Sequence, residues 1–212
     1  MCSERSANVA GGAGGTFTSA SRRVQFIGAA ISTIAEVGYA RASLGRIAER
    51  VGVSKGVISY HFAGKDELIL EVLADIAAEG GDFIYARAMT LPTAPERLRG
   101  WIESALGYLV AHRTRMVAFY EISAGSRGDV AVTAAVTELS TGVAAALRDM
   151  LAAGQASGEL RADFDPQAVA LTLIAVIDAV PPRMLRDPDF DVPRYGREVA
   201  GLFDAATRPA GP

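Results

Sequence analysis

No stretch of this chain alternates apolar and polar residues in the two-residue rhythm of a half-buried strand. Its apolar positions recur every three to four residues instead, which commits the chain to an all-α fold of about nine helices. The first helix is expected to start near Ser19 or Ser21, with Val24, Ile27, Ala30, Ile31, Ile34 and Ala35 on its apolar stripe. Gly38 should end it, because a residue just past a helix commonly takes a left-handed backbone that glycine reaches without strain. Ser43 opens a short second helix through Leu44, Ile47, Ala48 and Val51, closed by Gly52, and Ser54 opens a third from Lys55 to about Tyr60.

The fourth helix starts near Lys65 and carries Leu68, Ile69, Val72, Leu73 and Ile76. Gly80 and Gly81 should weaken or bend it before Phe83 to Met89, since each glycine costs about 1 kcal/mol inside a helix. Breaks at Pro92 and Pro95, Gly125 to Gly128, Gly158 to Pro166 and Asp187 to Pro193 leave helices at 95–111, 113–124, 129–157, 166–186 and 192–206. Three units follow: a disordered lead-in over 1–18, a small helical head over 19–66 and a helical body over 67–207. Half of the 212 residues are hydrophobic, enough to fill real cores.

Composition narrows the functions. The single cysteine, Cys2, excludes a disulfide scaffold and a cysteine-based zinc site. With no apolar run of eighteen residues and no apolar leader, the expectation is a cytoplasmic protein without a membrane span. Two histidines, no phosphate-cradling glycine loop, no His-Glu-x-x-His pair and no Gly-x-Ser-x-Gly elbow argue against an enzyme, a metal site or a cofactor.

Charge is divided unevenly. The net charge is −3, but residues 17–70 carry +3 and residues 71–212 carry −6, and the only two lysines, Lys55 and Lys65, lie in the basic head. A basic end on an acidic body suits phosphate binding by that end. The head also contains two short helices joined by a tight turn, from Ser43 to Phe62, the arrangement that sets a reading helix into the DNA major groove. Ala48 is small where the helices must approach, Gly52 takes the turn, and Val53 and Ile58 anchor the reading helix to the core. Ser54 caps that helix and leaves free N–H groups at its positive dipole end for a phosphate. Lys55, Val57 and Tyr60 then face outward, offering a cation, a methyl surface for thymine and an aromatic edge.

These residues resemble the TetR family of one-component regulators. The matching stretches are Ala35-Glu-Val-Gly-Tyr39, Ser43-Leu44, Ile47-Ala48, Gly52-Val-Ser-Lys-Gly56, His61-Phe62 and Lys65-Asp-Glu-Leu68. The resemblance implies that Ser43, Lys55, Gly56, Val57, Ser59, Tyr60 and His61 lie at or near DNA and that Lys65 meets a backbone phosphate. The chain departs from the family at Ser59, where a tyrosine is usual, and at Gly45, where some members place a long base-reading side chain. The resemblance further implies a ligand-responsive regulator, a repressor, which binds a palindromic double-stranded operator as a homodimer. The helices at 166–186 and 192–206 would then pair across the two-fold axis.

An effector site would lie in the body, where Phe83, Met89, Trp101, Tyr108, Met116, Phe119 and Tyr120 are the bulky side chains and His112, Glu121 and Asp178 the polar ones. A positively charged ligand group is one option for Glu121 and Asp178. Asp178 sits among Val176, Ile177 and Val180 and needs a partner, either Arg183, a donor from a second subunit or a ligand. The rival reading is a helical interaction protein that keeps the fold without binding DNA.

Overall fold

The computed structural model describes residues 13–209. Every regular element among them is helical: α1 (Ala13–Val37), α2 (Leu44–Arg50), α3 (Lys55–His61), α4 (Lys65–Gly81), a π-helical segment (Asp82–Ala86), α5 (Arg87–Met89), α6 (Ala94–Ala111), α7 (Arg113–Gly125), α8 (Val130–Ala156), α9 (Pro166–Asp178), α10 (Val180–Arg186) and α11 (Val192–Thr207). The segment from α4 through α5 runs without a gap, and α9 meets α10 at Ala179, so the described residues form nine rods.

Local sequence sets most of the boundaries. Thr93 and Glu96 form a reciprocal capping box on α6, with Pro95 in its first turn. Asp129, Asp165 and Asp191 each accept a backbone N–H in the first turn of α8, α9 and α11. Gly38 and Gly52 take φ of +83° and +72°, the left-handed conformation that ends α1 and makes the α2–α3 turn.

Four expectations need correction. Helix α1 starts at Ala13 rather than at Ser19 or Ser21, and Cys2 with the rest of 1–12 lies outside the described residues. Val24 is 67 % exposed and lies off the buried stripe, which begins at Phe26. The helix expected over 166–186 breaks at Ala179, because Pro181 and Pro182 both lack the N–H that would continue the α9 hydrogen-bond ladder. Finally, Val130–Ala156 and Pro166–Arg186 are long and apolar enough to cross a membrane by length and composition. Both contribute to the folded cores, α8 through Leu147 and Leu151 and α9 through Leu173 and Ile177.

Two cores organise the molecule. The first gathers Phe26, Ile31 and Ile34 of α1, Ile47 and Ala48 of α2, Ile58 of α3 and the apolar face of α4 from Leu68 to Ile76. It also takes Ala118 and Ile122 from α7 and Val132 from α8. The second holds Leu98, Trp101, Ile102, Ala105, Leu106 and Leu109 of α6 with the buried faces of α8, α9 and α11. Helix α7 serves both, because Met116 packs against the second core and Phe119 against the first.

Candidate functional site

The α2–α3 unit presents one smooth outward face. On α3 only Ile58 is fully buried, and it holds the helix to the head core, while Lys55, Gly56, Val57, Ser59 and Tyr60 are exposed. Tyr60 is 85 % exposed and so does not pack inward. Lys55 and Arg46 make no ion pair with any described residue, which leaves both cations available to an outside anion. Ser43 caps α2 by accepting the Arg46 N–H at 3.3 Å. Ser54 stands at the N-cap of α3, but its hydroxyl makes no capping hydrogen bond. The first amides of α3 thus lack the side-chain acceptor that the sequence led us to expect, and the positive end of the helix faces outward without an internal anion.

His61 is half-buried. Its ring lies 5.5 Å from Phe26 and 5.3 Å from Tyr60, between the head core and the exposed face. Lys65 is more enclosed than a free phosphate contact would be. Its ammonium donates to the Tyr39 carbonyl at 2.6 Å and sits 3.9 Å over the Tyr39 ring. Burial lowers its pKa from the ordinary lysine value, opposed by Asp66 and Asp129.

One residue that sequence reasoning missed holds this unit in place. Arg23 on α1 donates to the His61 carbonyl at the end of α3, and its other amino group reaches Glu71 at 2.8 Å and Glu67 at 3.3 Å on α4. Glu67 in turn accepts the Ala63 N–H at 2.7 Å, closing the α3–α4 turn from the opposite side. The guanidinium also lies 4.4 Å over Phe62. No local pattern marks partners that stand 38 to 48 positions apart in the chain. Arg50 is likewise turned inward, to Glu36 and the Thr33 hydroxyl, and Arg41 closes the end of α1 through the Val37 carbonyl. The basic count of the head therefore overstates the charge offered to a partner.

In the body, the proposed effector residues separate into four places. Trp101 and Tyr108 are each 3 % exposed on α6, and Phe83 of the π segment lies 5.6 Å from the Tyr108 ring. Met89 is half-exposed at the end of α5. Met116, Phe119 and Tyr120 are half-buried along α7. Glu121 belongs to the joint with the head, where its Oε2 would stand 3.0 Å from a Cβ placed on Gly38. Asp178 does not pair with Arg183. Tyr120 donates to it at 2.7 Å, while Arg183 reaches Asp187 instead. Burial raises the pKa of both Tyr120 and Asp178, and for Asp178 the tyrosine hydrogen bond pulls the other way.

The Tyr108 side of α6 carries a small polar network. His112 stacks on Tyr108 at 4.4 Å and its Nδ1 lies 2.9 Å from Glu79. Arg115 bridges Glu79 and Asp75 of α4. Burial, with Glu79 nearby, pushes the Tyr108 phenol up to about 12. No group of three or more His, Cys, Asp or Glu side chains suited to a metal ion occurs among the described residues.

Comparison with known proteins finds family matches in two regions of the chain. Residues 26–72 match the family model "Bacterial regulatory proteins, tetR family", and residues 94–200 match "BetI-type transcriptional repressor, C-terminal". A relative from Chromohalobacter salexigens, named HTH-type transcriptional regulator BetI 1, is 37 % identical over 106 residues, covering 48 % of this chain and 52 % of its own. The chain thus spans about half the length of the curated relatives it matches.

Among solved structures, a regulator from Saccharomonospora viridis in complex with choline superposes with a TM-score of 0.79 at 22 % identity, covering 89 % of this chain and 98 % of that one. The regulator FadR from Bacillus subtilis, in complex with stearoyl-CoA, superposes at 0.74 with 22 % identity, covering 84 % and 96 %. These likenesses establish the fold. The second matched region alone spans half of the chain and the two together nearly three quarters, and the chain belongs to the TetR family of bacterial transcriptional regulators, with a BetI-type repressor body.

Proposed function

We propose that this protein is a ligand-responsive repressor that binds a palindromic double-stranded operator as a homodimer and is released by a small molecule bound in its body. The observation that carries the reading is the outward face of α3, where Lys55, Gly56, Val57, Ser59 and Tyr60 are all exposed on a helix anchored from behind by Ile58. Such a face has no role in holding the fold, and it combines phosphate and base-edge chemistry. Ser43, Ser54 and His61 flank it, and Lys65 stands at its border. One reading helix buries too little surface for operator-grade affinity, so two copies must act together, one per half-site. This activity belongs in the cytoplasm, where the DNA is.

Selection from a random pool of duplexes tests the proposal. The expected product is a two-fold symmetric site with half-sites about one helical turn apart, and Tyr60→Ala or Val57→Ala should change the selected bases. Recovery of no preferred sequence would overturn it and favour an interaction protein that has kept the fold.

A further inference from the structure

Of the stretches that mark the family, the turn from Gly38 to Tyr39 has no part in the reading face. Tyr39 is 8 % exposed and belongs to the head core, yet its contacts reach three other elements. Its hydroxyl donates to Asp129 Oδ2 at 3.3 Å, in the turn between α7 and α8 of the body. Its side chain lies against Gly125 at the end of α7, where an added Cβ would come within 3.0 Å of it. Its carbonyl accepts from the Lys65 ammonium at 2.6 Å, and that ammonium also covers the ring at 3.9 Å, tying Tyr39 to the first residue of α4. Asp129 is itself fixed, since its Oδ1 accepts the Val132 N–H and caps α8.

The rest of this boundary is held differently. Ala118 and Ile122 of α7 enter the head core as apolar packing, which resists separation but is not directional. A cleft of about 410 Å³ opens beside it, lined by residues 35–41 with Glu121, Ala124 and Gly125. Glu36 and Arg41 at that cleft are committed within the head, to Arg50 and to the Val37 carbonyl. Asp66 of α4 also stands beside Asp129, whose charge raises the Asp66 pKa, so that neighbour repels rather than holds. Among the described residues, the Tyr39–Asp129 bond is the only hydrogen bond that joins α1–α3 and their turns to α7 or α8. A hydrogen bond and a seated ring have a preferred direction, so they fix an angle that apolar packing leaves free.

That angle matters to a protein that reads two half-sites with two heads on a shared body. One more base pair between the half-sites moves the second by roughly 3.4 Å along the duplex and about 34° around it. Heads held at a fixed angle cannot follow that step, whereas heads on loose joints can. We propose that Tyr39, seated on Gly125 and held by Asp129, fixes the angle of the head on the body and thereby sets the half-site spacing that the protein accepts. This rests on the reading of a homodimer on a palindromic operator, and it adds residues that determine operator spacing without touching DNA.

The experiment measures the affinity of the full chain for the selected duplex and for versions with one or two base pairs added to or removed from its centre. The wild-type protein should lose at least about ten-fold for a single-pair change. Tyr39→Phe removes the hydroxyl but keeps the ring beneath Lys65, and it should lose only about three-fold for the same change. Gly125→Ala unseats the ring with a methyl group and should flatten the spacing profile in the same way. Lys55→Ala is the control, because loss of a cation on the reading face should lower affinity by one factor at every spacing. An unchanged profile in either joint variant, or a wild-type protein indifferent to spacing, would overturn the inference. Failure to select any two-fold symmetric duplex would overturn the operator reading and this inference with it, whereas normal selection with unchanged profiles sinks this inference alone.

Discussion

The Arg23 guanidinium fixes one corner of the head by donating to the end of α3 and to two carboxylates on α4 at once. It positions the reading helix without needing to touch DNA. Arg23→Ala should therefore lower stability by about 1–2 kcal/mol, the partly exposed ion pairs keeping the figure modest. It should also weaken operator binding while leaving the salt dependence unchanged. Lys55→Ala should do the reverse, leaving the melting temperature alone and flattening the salt slope by about one unit. Melting curves and binding titrations across a salt series separate the two roles.

Asp178 offers a pH test. Its folded pKa is raised, so its contribution to stability is fully present below the ordinary aspartate value and is lost as pH rises through the raised one. The Tyr120 hydrogen bond limits that loss. Tyr120→Phe should therefore destabilise by about 1 kcal/mol at high pH, and by less as the pH falls and the carboxyl takes up its proton. Equal melting shifts at high and low pH would remove the tyrosine from this role. The sequence pointed toward Arg183 because it is close in the chain, whereas the true donor is 58 positions away, and only packing of α7 against α9 and α10 brings it near.

Among the elements, those read most securely from sequence carry capping or turn chemistry at one end or both. Helix α2 has Ser43 and Gly52, α6 has its Thr93–Glu96 box, and α11 has Asp191. The outward face of α3 was legible for a similar reason, because one buried Ile58 fixes the rotation of a seven-residue helix. What stayed hidden depends on distant contacts or on competing local signals. Trp101 and Tyr108 were recognisable as bulky residues, but their burial together follows only from how α6 meets the π segment and the end of α4.

The glycine pair before the π segment was visible, and its effect on α4 is testable. A Cβ on Gly81 meets nothing within 4 Å, and its φ of −59° is ordinary helix. Gly81→Ala should thus stabilise the protein by about 0.5–1 kcal/mol, since alanine gives up less chain freedom on folding. It should also stiffen the rod that joins the head to the body, changing the effect of effector on operator binding more than either affinity alone. An unchanged effector response in a stabilised Gly81→Ala protein would free α4 from the transmission path.

At the scale of the whole molecule, α7 ties head to body as firmly as α4 does, since Ala118 and Ile122 sit in the head core and Gly125 would place a Cβ 3.0 Å from Tyr39. The outer side of α9, α10 and α11 leaves Leu171, Leu185 and Leu202 more than half exposed, and a second copy covering them completes the proposed dimer. Replacing both Leu171 and Leu202 by Glu should weaken self-association at least about a hundredfold, as each buried leucine contributes about 1.5–3 kcal/mol. Sedimentation reads that loss directly, and operator affinity should fall with it.

The central claim is that α3 reads DNA in a pair and that effector in the body releases it. A titration of the selected duplex, followed by anisotropy at two salt concentrations with and without saturating effector, tests both parts at once. The account expects two chains per duplex, binding that weakens steeply with salt, and an effector that lowers DNA affinity by the same factor by which DNA lowers effector affinity. One chain per duplex, or an effector that binds equally well to free and DNA-bound protein, would contradict it.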